Sequence, residues 1–155
     1  MSVLVELSLD NAGKYLSQLV AIENEAFAQP WSRDAYLTEL ARPISHVIAV
    51  VEGDRLLGYA GFWQVLDEAE INNVAVLAEV RGQGIGYQLM NGLLDMAALL
   101  GCTKVNLEVR RGNAAALAVY AKCGFAVNGC RPGYYEDNHE DALLMSCDIS
   151  GRALM

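Results

Sequence analysis

Basic residues are scarce in this sequence. Its 155 residues hold 11 Lys and Arg against 19 Asp and Glu, a net charge of −8. Nucleic-acid backbones bind clustered positive charge, so no nucleic-acid partner is expected. An acidic surface suits cationic partners instead: amines, polyamines or basic peptides. Proline is down to 3 residues and charged residues to 19%, while hydrophobic residues reach 54%. Disordered tails and collagen-like fibres have other compositions. No apolar run approaches the ~18 residues of a membrane span; the richest, residues 89–100, is broken by Asn91, Gly92 and Asp95. The opening Met1-Ser2-Val3-Leu4-Val5-Glu6 lacks the basic flank of a signal peptide, so a cytoplasmic protein without a membrane partner is expected. Cys102, Cys123, Cys130 and Cys147 form no Cys-x-x-Cys pair and have no His at zinc-ligand spacing, so no metal is expected. They read as reduced, mostly buried small hydrophobes. His46 and His139 stand apart from any nucleophile, which leaves a Ser–His or Cys–His site without support.

The length fits one domain over residues 1–155, large enough for a core without disulfide or metal staples. Residues 3–9 alternate as a first strand. Asp10 caps a helix carrying Tyr15, Leu16, Leu19, Ile22, Glu23 and Phe27 at helical spacing, and Gln29-Pro30-Trp31 breaks it. Ser32 caps a second, short helix that ends before Pro43. Residues 46–52 and 56–65 form a hairpin about Gly53-Asp54, and residues 70–76 a further strand. A helix over 86–100 with the single charge Asp95 must lie against a sheet with most of its girth covered. Then follow a strand over 104–109, a helix over 114–122 stopped at Gly124, and a final antiparallel pair over 126–133 and 141–148, joined by the polar loop 136–140. One strand–helix–strand crossover amid hairpins predicts an α/β (α+β) fold with a mixed, mostly antiparallel sheet of six to seven strands and about four helices.

Between the strand ending at Val74-Ala75-Val76 and the long helix lies Arg81-Gly82-Gln83-Gly84-Ile85-Gly86. Glycines there let main-chain N–H groups turn outward, and a helix N-terminus adds orphan donors and about half a positive charge. An anion such as a pyrophosphate fits. The P-loop pattern is absent, and against a dinucleotide fingerprint the third glycine comes one residue early. A plain flexible turn is the alternative.

Further along stand Asn113, Ala116, Tyr120, Gly124 and Phe125, spaced Asn-x-x-Ala-x-x-x-Tyr-x-x-x-Gly-Phe. With Arg81, Gly84 and Gly86, which match Gln/Arg-x-x-Gly-x-Gly/Ala, this run resembles the GNAT superfamily of acetyl-CoA-dependent N-acetyltransferases. Pro30-Trp31-Ser32, Leu66-Asp67-Glu68-Ala69, Asn73-Val74-Ala75-Val76, Leu107-Glu108-Val109-Arg110, Arg131-Pro132-Gly133-Tyr134-Tyr135 and Glu140-Asp141-Ala142 are similar to the RimI-type branch. Those enzymes acetylate the N-terminal alanine of a small-subunit ribosomal protein, the eighteenth of that subunit.

The resemblance implies acetyl-CoA as co-substrate, a basic ribosomal-protein N-terminus as partner, and a sheet splayed at the cofactor-binding strand. Val76 would give its N–H to the thioester carbonyl, beside Val74 and Ala75. Arg81, Gly82, Gln83, Gly84, Ile85, Gly86 and Tyr87 would wrap the pyrophosphate, and Asn113 would reach the pantetheine arm as well as cap its helix. Glu108 takes the place of the general base. As the one carboxylate in an apolar strand it would gain a raised pKa from partial burial, unless it is a strand-end Glu facing solvent. Tyr120 takes the place of the acid that protonates the CoA sulfur; by pattern alone it is a core aromatic. Trp31, Tyr134 and Tyr135 suit peptide contact, with Trp31 alternatively stapling the first helices. The alternatives in function are acetylation of a small amine such as a polyamine or aminoglycoside, and a non-catalytic acyl-CoA-binding subunit.

Overall fold

In the computed structural model, which describes residues 1–152, the apolar run of the first hairpin is strand β2 (Ser45–Glu52). It lacks polar alternation because two cores claim it. Ile48 and Val50 point into one, Val47, Ala49 and Val51 into the other. Strand side chains alternate faces, so a strand covered on both sides reads as a continuous apolar run.

The elements follow the expected order. After β1 (Val3–Leu7) come helices α1 (Ala12–Ala26) and α2 (Arg33–Leu40), then β2, β3 (Arg55–Val65) and β4 (Glu68–Val76). A 3₁₀ turn (Ala78–Val80) leads to α3 (Ile85–Leu99), β5 (Lys104–Arg110), α4 (Ala114–Lys122), β6 (Ala126–Arg131) and β7 (Ala142–Asp148). The seven strands form one sheet ordered β1-β2-β3-β4-β5-β7-β6, with β4–β5 its parallel pair. Helix α3 is the crossover between those two strands and lays Leu89, Met90, Leu93, Leu94 and Ala97 against the first face. Helix α1 covers the opposite face with Leu16, Leu19 and Ile22, joined by Tyr36 of α2. Among the described residues, none of β5, β6 or β7 belongs to that second core. The sheet therefore lies open there.

Some boundaries differ from expectation. Asn11, not Asp10, precedes α1; its Oδ1 accepts from Ser8 N and its Nδ2 donates to Glu6 O, which closes the turn two residues past the strand end. Strand β1 accordingly stops at Leu7 rather than residue 9. Strand β4 starts at Glu68, two residues early, because the tight turn Leu66-Asp67 carries Leu66 at φ +57. Ser32 caps α2 as expected, accepting from Ala35 N at 3.1 Å. Of the cysteines, Cys102 and Cys147 are buried, but Cys130 is exposed on the edge strand β6.

The splay is real. Strands β4 and β5 pair only from Glu68 to Glu70 against Lys104 to Asn106, then part. The cause is on the other side of β4. Its register with β3 jumps between Gly61↔Asn73 and Phe62↔Ile71, so Asn72 is an extra, bulged residue. Asn72 Oδ1 accepts from Asn73 N and fills the space beside Gly61, where a Cβ would sit 2.7 Å from it. A bulge bends and twists its strand, and here it carries the end of β4 away from β5.

Candidate active site

Two cavities flank the gap. One, of about 840 Å³, lies on the open side of β5 and β7 and is lined by Glu68, Glu70, Asn106, Glu108, Tyr134 and Tyr135 among others. The second, about 670 Å³, runs between the end of β4, the glycine loop, α3 and α4. Ala26, Phe27, Val74, Asn113 and Tyr120 line both. The cavities meet at those residues.

The second cavity suits an anionic, partly apolar ligand. Gly82 and Gly84 have φ +79 and +83, the left-handed region that L side chains avoid. Gly84 is also the residue before α3 and gives it no side-chain cap, which leaves the first N–H groups of a 15-residue helix for a ligand. Among the described residues Arg81 and Lys122 line this cavity without a carboxylate partner, in a chain where most cations have one. Arg81 Nε donates to Val76 O at 3.4 Å, and Lys122 Nζ stands 4.4 Å above the Tyr87 ring. Val74, Ala75, Val76, Ile85 and Gly86 also line it; Gln83 does not. Leu77 N donates to Leu57 O, so by the alternation of an antiparallel ladder Val76 and Val74 turn their main-chain groups toward the gap. Asn113 Oδ1 caps α4 by accepting from Ala116 N at 3.2 Å.

Tyr120 is 8% exposed and tilts against Phe125. Burial pushes its phenol up to about 12, with the Tyr135 hydroxyl a smaller contribution. Leu107 and Val109 take the core side of β5, so Glu108 points into the first cavity with its side chain 34% exposed. Arg131 Nη1 lies 3.3 Å from its Oε1.

Tyr134 and Tyr135 meet edge to face at 5.2 Å, under Arg131 and Arg110 respectively. Their loop is tied down: Arg110 bonds Asp137 at 3.0 Å, and Glu140 accepts from Gly112 N at 2.6 Å. The Arg110 guanidinium holds the Asp137 carboxyl below its ordinary value, and the Gly112 N–H does the same for Glu140. Trp31 is not in the cavity lining. It stacks on Trp63, which is, and tilts against Tyr36, which makes it the staple of the first helices.

Sequence reasoning passed over three groups. Trp63 and the acidic pair Glu68 and Glu70 line the first cavity, both Glu carboxylates accepting from Asn106 Nδ2 at 2.8 Å. Lys122 lines the second. Glu23 is 1% exposed at the wall between them. Only Glu23 left a signal, a carboxylate on the apolar stripe of α1.

Residues 16–125 match the family model described as "Acetyltransferase (GNAT) family". The chain belongs to that family. Relatives of this acetyltransferase include a ribosomal protein bS18-alanine N-acetyltransferase of Salmonella typhimurium, 35% identical over 83% of this chain and 88% of that one. An N-alpha-acetyltransferase RimI of Mycobacterium tuberculosis is 38% identical over 77% and 76%. The crystal structure of the Escherichia coli ribosomal-protein-S18-alanine N-acetyltransferase superposes at a TM-score of 0.84 with 31% identity, covering 100% of this chain and 99% of that one.

Proposed function

We propose that this GNAT enzyme moves the acetyl group of acetyl-CoA to the N-terminal alanine of ribosomal protein bS18. The observation that carries the reading is that two cavities meet at Tyr120, one suited to the phosphates and pantetheine arm, the other open to a peptide. Its support in kinship is the bS18-alanine N-acetyltransferase name shared by relatives that align over most of the chain.

Acetyl transfer needs a neutral amine, an oxyanion donor and a protonated leaving sulfur. Glu108 accepts a proton from the alanine ammonium, directly or through water, and the freed amine nitrogen bonds the thioester carbon. The Val76 N–H faces the carbonyl oxygen as it takes up negative charge. The carbon–sulfur bond then breaks as the Tyr120 hydroxyl passes its proton to the sulfur. The second proton, which the nitrogen sheds on becoming an amide, returns through water to the Tyr120 oxygen, while Glu108 releases its own to solvent. Val74, Ala75, Arg81, Gly82, Gly84, Ile85, Gly86, Tyr87 and Asn113 hold the donor. Gln83 contributes through its main chain. Tyr134 and Tyr135 grip the peptide, and Trp31 supports that wall through Trp63.

The test is to incubate the protein with acetyl-CoA and an Ala-starting basic peptide, and to follow product by mass spectrometry and free CoA by thiol release. The reading requires N-terminal acetylation and a clear preference for the peptide over spermidine. A preference for spermidine makes it a small-amine enzyme. Binding of acetyl-CoA without turnover on any amine makes it a non-catalytic subunit.

A further inference from the structure

Glu23 is the one charged residue in the described core, and no step above uses it. Its carboxylate accepts from four other segments of the chain brought to one point. Tyr36 of α2 donates to Oε1 at 2.7 Å, and Tyr59 of β3 donates to the same oxygen. Trp31 N, in the α1–α2 connection, donates to Oε2 at 2.9 Å. Asn73 Nδ2, on the bulged part of β4, lies 3.0 Å from Oε2 and 3.2 Å from Oε1, and 3.0 Å from the Tyr36 hydroxyl oxygen.

Burying a carboxylate costs several kcal/mol unless its oxygens are fully partnered, so the site is built around this group. The two ends it joins matter. One turn beyond Glu23 are Ala26 and Phe27, which line both cavities. Next to Asn73 is Val74, which does the same. Glu23 thus bridges the two sides of the mouth where the cavities meet. Burial and the nearby carboxylate push the Tyr36 and Tyr59 phenols up, which keeps both as donors to it.

From this geometry we infer that Glu23 is a positioning residue: it fixes the α1–α2 wall against the bulge of β4 and so sets the approach of the peptide amine to the thioester. This rests on the acetyl-transfer reading above. A shift of the order of 1 Å in such a mouth costs roughly 10²-fold in rate. Nothing in the clamp touches the glycine loop, so the donor's phosphates stay where they are.

The test compares Glu23→Leu, Glu23→Gln and Asn73→Ala. A glutamine keeps one oxygen for Trp31 N and Asn73, and its amide can donate to the two phenol oxygens, which also accept. Glu23→Leu and Asn73→Ala should each lower kcat on the peptide by tenfold or more, with the acetyl-CoA Kd changed by less than about threefold. Glu23→Gln should restore most of the loss. Should Glu23→Leu not fold, Asn73→Ala carries the test, since it removes only the β4 end. Trp31 and Trp63 are the two tryptophans of the chain and stack at 6.4 Å, so near-ultraviolet circular dichroism reads the wall without any turnover. Their coupled band should persist in Glu23→Gln and collapse in Glu23→Leu. Folded variants that keep wild-type kcat, or an unchanged tryptophan band in folded Glu23→Leu, overturn the inference. An inactive wild type whose band still collapses in Glu23→Leu refutes the acetyl-transfer reading while supporting the clamp.

Discussion

Arg131 Nη1 stands 3.3 Å from Glu108 Oε1, a cation from the edge strand reaching across β7 to the carboxylate of β5. A substrate ammonium approaching Glu108 must share or displace that partner. A partly exposed pair is worth about 0.2–1 kcal/mol, so Arg131→Gln should lower the peptide KM by up to roughly fivefold. The check is steady-state kinetics at saturating acetyl-CoA. A KM that rises tenfold would make Arg131 a grip on the substrate instead of a competitor for its base.

Glu108→Gln keeps the shape of the side chain and removes its basicity. Loss of general-base help typically costs about 10²–10⁴ in rate, and kcat should fall into that range. The acetyl-CoA Kd should stay near wild type, because Glu108 lines only the first cavity. Stopped reactions read by mass spectrometry across pH give the answer; full turnover at every pH removes Glu108 from the mechanism.

Tyr120 has a signature in alkali. Its phenol is pushed up to about 12, above the ordinary 10, so the proton-donating form persists where a free tyrosine has ionised. Turnover that depends on this proton should stay flat through pH 10 and fall only toward 12, and Tyr120→Phe should lower kcat and abolish that limb. The linkage has the matching sign. The folded-state value lies above the unfolded one, so the contribution to stability is complete below about pH 10 and is lost as pH rises through about 12. The melting temperature should therefore fall less between pH 9 and 12 in Tyr120→Phe than in wild type.

Gly84 sits at φ +83 with open space around it, so a Cβ meets no neighbour and only the backbone resists. Gly84→Ala should cost about 1–2 kcal/mol in that conformation and displace the N–H groups that open α3. The acetyl-CoA Kd, by calorimetry, should rise about tenfold or more with the peptide KM little changed. An unchanged Kd would take the phosphates away from this loop.

Most of the architecture was readable because each piece advertises itself locally. Helix α3 shows its burial in a run with one charge, the β2–β3 hairpin in Gly53-Asp54, and the glycine loop in its spacing. What shapes the site was not readable, since it depends on partners distant in the chain. The bulge at Asn72 needs Gly61 opposite it, and Ile71-Asn72-Asn73-Val74 by itself is an ordinary strand. Whether Glu108 is partly buried or faces solvent was left open by the sequence, because its openness follows from where α1 ends its cover. That Trp31 stands behind the cavity lining was not readable either, because it stacks on Trp63, a partner far along the chain. Glu23 was visible as a carboxylate on an apolar stripe, and its four donors come from four other segments.

A crystal structure with coenzyme A joined covalently to the α-amine of an Ala-starting peptide tests the central claim most directly. The linked chain should thread the gap between β4 and β5, with the sulfur within hydrogen-bonding distance of the Tyr120 hydroxyl and the peptide leaving past Glu108 toward Tyr134 and Tyr135. A coenzyme lying outside that gap, or a peptide that exits on the α3–α4 side, would contradict it.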